Sequence, residues 1–210
     1  DNGSWVQMNA GVNTQQGTPQ TGSFSVGVTM ANRLRTTYGK LAYIVPSAVG
    51  GTYIANDVTP SWNVTHVGEY YDKMVDWYLK PCLGRLEGAI NNVTPVLVWI
   101  HGESDADTVA HGAAYEANLT ALINAFRTDS GYTNMKVIIT RLRSDYGGTN
   151  LGLSGVRAAQ VSIAAAMTGV YIYDTDTALT PLTSDLQHYN PITGSYGGVQ
   201  SATNLGQGLA

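Results

Sequence analysis

Asp185 and His188 stand three residues apart in the run Ser184-Asp185-Leu186-Gln187-His188-Tyr189. On a turn or a first helical turn, that spacing brings both side chains to one face. A carboxylate bonded to one imidazole nitrogen fixes the tautomer and leaves the other nitrogen free as a base. The bland reading of the pair is a surface Asp and a surface His in a loop. A second polar cluster ends an apolar run: Val96-Leu97-Val98-Trp99-Ile100 is followed by His101, Gly102, Glu103, Ser104 and Asp105. Polar groups at the end of a buried strand are costly unless they are used, and strand carboxyl ends are where ligands sit in open α/β sheets. Gly50 and Gly51 follow Leu41-Ala42-Tyr43-Ile44-Val45. A Gly-Gly pair after a strand suits a backbone that must approach something closely.

These groups need a scaffold that carries them to one rim. Apolar runs at 41–45, 96–100, 135–140 and 169–173 read as strands, with 96–100 as a central strand buried on both faces. Between them lie helical patterns. One covers 23–38, with Phe24, Val28, Ala31, Leu34 and Tyr38 as a stripe and Gly39 as its end. Another covers 67–79, with Val67, Tyr70, Tyr71, Met74 and Trp77 or Tyr78 inward, and Pro81 interrupts it. The third covers 113–126, with Tyr115, Leu119, Leu122, Ile123 and Phe126 on one side. The fourth is Ala-rich, at 156–167, after a Gly-rich loop at 147–155. Alternating strands and helices predict an α/β fold of three layers, α/β/α, with a parallel sheet of flavodoxin-like kind. Such a sheet usually has five or more strands, so the first is expected upstream of Asp1. The strand ends then bring Gly50-Gly51, His101 to Asp105, and Asp174 and Asp176 to the same side as Asp185 and His188.

Composition narrows the class. The 210 residues suit one domain over 1–210, with 1–22 as an irregular Asn-, Gln-, Gly- and Thr-rich segment. A net charge of −4 provides no basic face, so no nucleic-acid partner is expected. No apolar run reaches the roughly 18 residues of a spanning helix, so no membrane partner is expected either. The single Cys82 excludes an internal disulfide framework. His66 and His111 have no partner at ligand spacing, and zinc needs three or four ligands, so neither metal nor cofactor is expected. The low charged fraction of 12% and the 24 Gly and 13 Tyr suit an extracellular or virion-associated setting.

Several segments together resemble the SGNH-hydrolase superfamily, in its carbohydrate-esterase branch of sialate O-acetylesterase-like and acetylxylan-esterase-like proteins. Val45-Pro46-Ser47-Ala48-Val49-Gly50-Gly51-Thr52 resembles that branch's Gly-Gly-Thr segment. Trp99 to Asp105 resembles its W-x-Q-G-E-x-D motif, Val156 to Gln160 its helix with a terminal Gln, and Asp185 to His188 its D-x-x-H. The likeness spans about residues 23 to 210. It implies an O-acetyl esterase acting on an acetylated carbohydrate. His188 would be the general base, with Asp185 or Glu103 as its acidic partner. The N–H of Gly50 or Gly51 would donate to the oxyanion.

The sequence departs from this pattern twice. His101 stands where the branch has Gln; a neutral imidazole donates one hydrogen bond, so it serves either the oxyanion hole or the structure. The branch's nucleophilic Ser follows its first strand in a G-x-S motif, which is expected upstream of Asp1. A rival reads Gly102-Glu103-Ser104-Asp105-Ala106 as a nucleophile elbow with Ser104 attacking. A third reading is a glycan-binding or structural domain of a secreted or phage-tail protein that keeps the scaffold without catalysis. Asp105 and Asp107 are expected to cap the following helix. Trp62, Tyr70, Tyr71 and Trp77 line either a sugar groove or the core, and Arg141, Arg143 and Arg157 are candidates to pair with an acidic site edge.

Overall fold

A parallel sheet, β1 (Val96–Trp99), β2 (Lys136–Thr140) and β3 (Val170–Tyr173), carries the described part of the chain, in the order β1-β2-β3. The computed structural model describes residues 26–90, 92–147 and 149–178. The register runs Val96 to Lys136 and Trp99 to Ile139, then Val137 to Val170 and Thr140 to Tyr173. All pairs are parallel, so each connection must cross back, and helices supply the crossovers. The result is the expected α/β architecture, with flanking helices.

The chain divides into two compact units. Of the described residues, 26–50, 145–147 and 174–178 belong to one, and 51–144 with 149–173 to the other. In the first, α1 (Val26–Tyr38) ends at Gly39, whose φ of +63° suits glycine and whose N–H still reaches the Arg35 carbonyl at 3.1 Å. Residues 41–45 form no strand, against expectation: Leu41 and Tyr43 are exposed, and Pro46 removes a ladder donor. An apolar run becomes a strand only when a neighbouring edge pairs with it, and no described strand does so here. In the same unit α6 (Thr175–Ala178) follows β3, and the Asp176 N–H donates to Asp174 Oδ1 at 3.0 Å.

The second unit holds the sheet and its core. Here β2, not β1, is central among the described strands; Val137 and Ile139 are fully buried, whereas Val96 and Ile100 are partly exposed. The long helix α4 (Val109–Asp129) buries Tyr115, Leu119, Leu122, Ile123 and Phe126, the whole expected stripe. Its partner α5 (Leu153–Ala166) buries Val156, Ala159, Gln160 and Ile163. Their N-terminal ends meet through glycine: a Cβ on Gly155 would sit 2.8 Å from the Gly112 backbone, and one on Gly112 would clash with Gly152. The Gly-rich stretch is therefore a loop only as far as Gly152.

Residues 70–87 run as one continuous helix, α2 (Tyr70–Lys73), a π-helical stretch Met74–Leu79 and α3 (Lys80–Glu87). Pro81 does not interrupt it, contrary to the sequence reading. The π-helical register just upstream changes which carbonyl the missing N–H would have met, which is how a helix tolerates a proline. The helix also starts three residues later than expected. Val67 is 92% exposed, and Glu69 at the N-cap turns its carboxylate back to the Ser61 N–H at 2.6 Å. No described helix is long and apolar enough to cross a membrane.

Candidate active site

At the carboxyl end of β1 the chain turns through His101 to Thr108 before α4 begins, and residues 51–57 lie along this turn. Several side chains hold that loop. His101 Nε2 is 3.0 Å from the Thr52 carbonyl, an arrangement that puts the ring proton on Nε2 and leaves Nδ1 as an acceptor. Asp105 Oδ2 accepts from the Ile54 N–H at 3.0 Å. Tyr53 donates its hydroxyl to Asp107 Oδ2 at 2.9 Å. Trp62 Nε1 donates to Thr52 Oγ1 at 2.9 Å, and the Trp62 N–H to the Tyr53 carbonyl at 2.8 Å. Asn63, buried and bonded to the Ile54 carbonyl at 2.8 Å, closes the loop from below.

The turn is braced from the sheet side by Gln160. Its Nε2 donates to the carbonyls of His101 at 3.1 Å and Thr140 at 3.2 Å, and its Oε1 accepts from the Leu142 N–H at 2.8 Å. One fully buried amide thus ties together the ends of β1 and β2. Tyr115 adds a hydroxyl that donates to the His101 carbonyl at 3.1 Å and lies 3.3 Å from Trp99 Nε1. Gly102 is obligatory: its φ is +138°, and a Cβ there would come within 2.9 Å of Val156 Cγ1.

Burial sets the electrostatics. Desolvation pushes the His101 pKa down to about 4, against a smaller upward pull from its bond to Thr52, so the ring is neutral at pH 7. Desolvation pushes Asp105 up to about 6, and the N–H groups of Ile54 and Ala55 and the charge of His111 only partly offset it. Tyr115 is raised, first by burial, and stays a neutral phenol. His101 Nδ1 and Asp105 Oδ2 are 3.9 Å apart, beyond a hydrogen bond.

The expected site residues fall as follows. Gly51 begins the held loop, with φ +69°, exposed, and with open space where a Cβ would point. Neither Gly50 nor Gly51 donates its N–H to a described partner. His101 spends its one donor on Thr52, which favours the structural of its two readings. Glu103 is half-buried in the turn. Asp185 and His188 lie outside the described residues. Ser104 sits in the turn ahead of Thr108, the N-cap of α4; the imidazole that the elbow reading would pair with it, His188, lies outside the described residues.

Other expectations change. Thr108, not Asp105 or Asp107, caps α4, accepting from the His111 N–H at 3.1 Å. The helix starts too late for either carboxylate to reach its first N–H groups. His66 and His111 are held by hydrogen bonds, the first to Ser61 and Glu69, the second to Asp57 and Asp107. No described cluster has the make-up to hold a metal. Trp62 and Tyr71 are core residues, whereas Trp77 is 66% exposed. Arg157 donates to the Leu142 carbonyl. Sequence reasoning missed the bracing roles of Asp105, Gln160 and Tyr115; for Gln160 and Tyr115 a long polar side chain at a buried helical position was the available signal.

The family model for carbohydrate esterases described as sialic acid-specific acetylesterase matches residues 1–208. The chain belongs to that family. Comparison with curated proteins gives no match. Among solved structures, a protein from Arabidopsis thaliana aligns with a TM-score of 0.68 at 24% identity, over 92% of this chain and 69% of that one. A carbohydrate acetylesterase from Xanthomonas citri aligns with a TM-score of 0.57 at 20% identity, over 86% of this chain and 38% of that one. At these identities the likeness shows the fold, and this chain spans well under half of the Xanthomonas protein.

Proposed function

We propose that this member of the acetylesterase family is an O-acetyl esterase that removes acetyl groups from a carbohydrate. The observation that carries the reading is the loop at 51–57. An exposed glycine in a left-handed conformation, its N–H without a partner among the described residues, opens a segment pinned at Thr52, Tyr53 and Ile54 to the end of β1. An N–H held in a fixed place with no partner of its own is what an oxyanion requires, and one such donor is worth on the order of 3 kcal/mol in the transition state.

In this reading a serine hydroxyl from outside the described residues attacks the acetyl carbonyl. His188 takes the proton as the C–O bond forms and returns it to the departing sugar oxygen; water then repeats the sequence to free acetate. Asp185 or Glu103 orients His188. Gly51, with Gly50, steadies the oxyanion. His101 and Asp105 do not touch the ester; they hold the loop that does.

The test is acetate release from p-nitrophenyl acetate by the full-length protein, with His188→Ala and Ser104→Ala in parallel. Loss with His188→Ala alone supports the reading. Loss with both would transfer the nucleophile to Ser104, and an inactive parent would favour a glycan-binding domain.

A further inference from the structure

His111 on the first turn of α4 is enclosed by acid on two sides. Nδ1 is 2.9 Å from Asp107 Oδ1, in the turn before the helix. Nε2 is 3.2 Å from Asp57 Oδ1 and 3.4 Å from its Oδ2, at the far end of the held loop. Tyr53, from the same loop, meets the ring edge-on at 5.4 Å between centroids and bonds the other oxygen of Asp107. Asp105 acts on His111 from further off. Each imidazole nitrogen therefore faces a carboxylate, which can only accept. A neutral imidazole has one N–H, so it can satisfy one side and must turn a lone pair toward the other. Only the imidazolium bonds both.

We propose that His111 is a positioning residue, whose imidazolium between Asp57 and Asp107 latches the 51–57 loop to the start of α4 in acid and releases it as the pH rises. Its effect on turnover rests on the esterase reading; the latch itself does not. The direction follows from linkage. Burial alone would lower the His111 pKa, but the bonds to Asp107 and Asp57 outweigh it and raise it above 6.5. A raised histidine pKa contributes stability that is fully present below the unfolded value and is lost as the pH climbs through the folded one. Each unit of elevation makes closure about tenfold more favourable at acid pH.

Two measurements without substrate test the latch. In an ¹⁵N titration of the imidazole, both nitrogens should be protonated below a pKa that exceeds 6.5, and Asp57→Asn should lower that pKa. Asp57 is 67% exposed, so the variant keeps the fold. The protection of the Ile54 amide, corrected for intrinsic exchange, should fall through the same pH window in the parent and not in His111→Gln. A pKa at or below 6.5, a pKa unmoved by Asp57→Asn, or a pH-independent Ile54 protection would overturn the proposal. In acetate release, kcat should decline on the alkaline limb in the parent and less so in Asp57→Asn; an identical limb in both would overturn the positioning role. If no acetate is released at all, the esterase reading fails while the titration still decides the latch.

Discussion

His101 and Asp105 grip the same loop with opposite chemistry: the imidazole donates to the Thr52 carbonyl at 3.0 Å, and the carboxylate accepts from the Ile54 N–H at 3.0 Å. Thr52 and Ile54 are thereby fixed to the turn after β1 through one acceptor and one donor. Because Gly51 directly precedes Thr52, its backbone is anchored on that side.

If His101 is structural, a residue that supplies the same donor should replace it. His101→Gln, the residue at this position in the family pattern, should keep most of the stability. His101→Ala removes that hydrogen bond to the Thr52 carbonyl and should cost about 0.5–1.5 kcal/mol. Urea unfolding of the two variants compares them; equal losses would show that the hydrogen bond to Thr52 contributes nothing.

The same two residues should oppose each other with pH. The unfolded chain protonates His101 near 6.5, the folded chain only at about 4, so stability from this group falls as the pH drops through that window. The folded chain holds the Asp105 proton up to about 6, well above the unfolded value of 3.8, so that contribution is present in acid and is lost as the pH rises. Each effect is worth up to roughly 3 kcal/mol, and they nearly cancel between pH 4 and 6. Asp105→Asn should therefore expose an acid-labile protein, and His101→Gln one that gains stability in acid. Unfolding midpoints at pH 4.5 and 7 for the parent and both variants check this; parallel pH profiles would contradict it.

Gly102 combines a left-handed backbone with a missing Cβ. Gly102→Ala would place a methyl 2.9 Å from Val156 Cγ1 at φ +138°. Backbone strain and overpacking together should cost roughly 3 kcal/mol. Thermal unfolding measures it. The double variant Gly102→Ala with Val156→Ala should recover the packing share and not the strain.

Gln160 should be harder to replace than any surface polar residue. Gln160→Leu takes the acceptor from the Leu142 N–H and one donor each from the carbonyls of Thr140 and of His101, which keeps Tyr115; a buried group left without a partner costs about 1–3 kcal/mol. Gln160→Glu keeps the acceptor for Leu142 and loses both donors. Leu should therefore destabilise more than Glu at acid pH, where a protonated Glu regains one donor. The order of unfolding midpoints at pH 4.5 decides.

What the sequence disclosed depended on distance along the chain. The α4 stripe was legible because its five residues lie within one helix and all point inward. β2 and β3 were legible as apolar runs between helical patterns. The run at 41–45 looked the same but is no strand among the described residues, because pairing is a non-local event that a run does not encode. The braces were hidden for the same reason: Asp105 meets Ile54 across 51 positions and Gln160 meets His101 across 59. The motif around His101 marked the right turn of the chain, while the roles inside it emerged only when the loop at 51–57 was seen beside it.

The account stands most directly on acetate released from O-acetylated carbohydrates by the full-length protein. It predicts saturable release, a loss on the order of 10⁴ in kcat for His188→Ala, and a smaller loss in kcat rather than KM for Gly51→Ala. Glycan binding with no acetate released, or turnover untouched by His188→Ala, would contradict it.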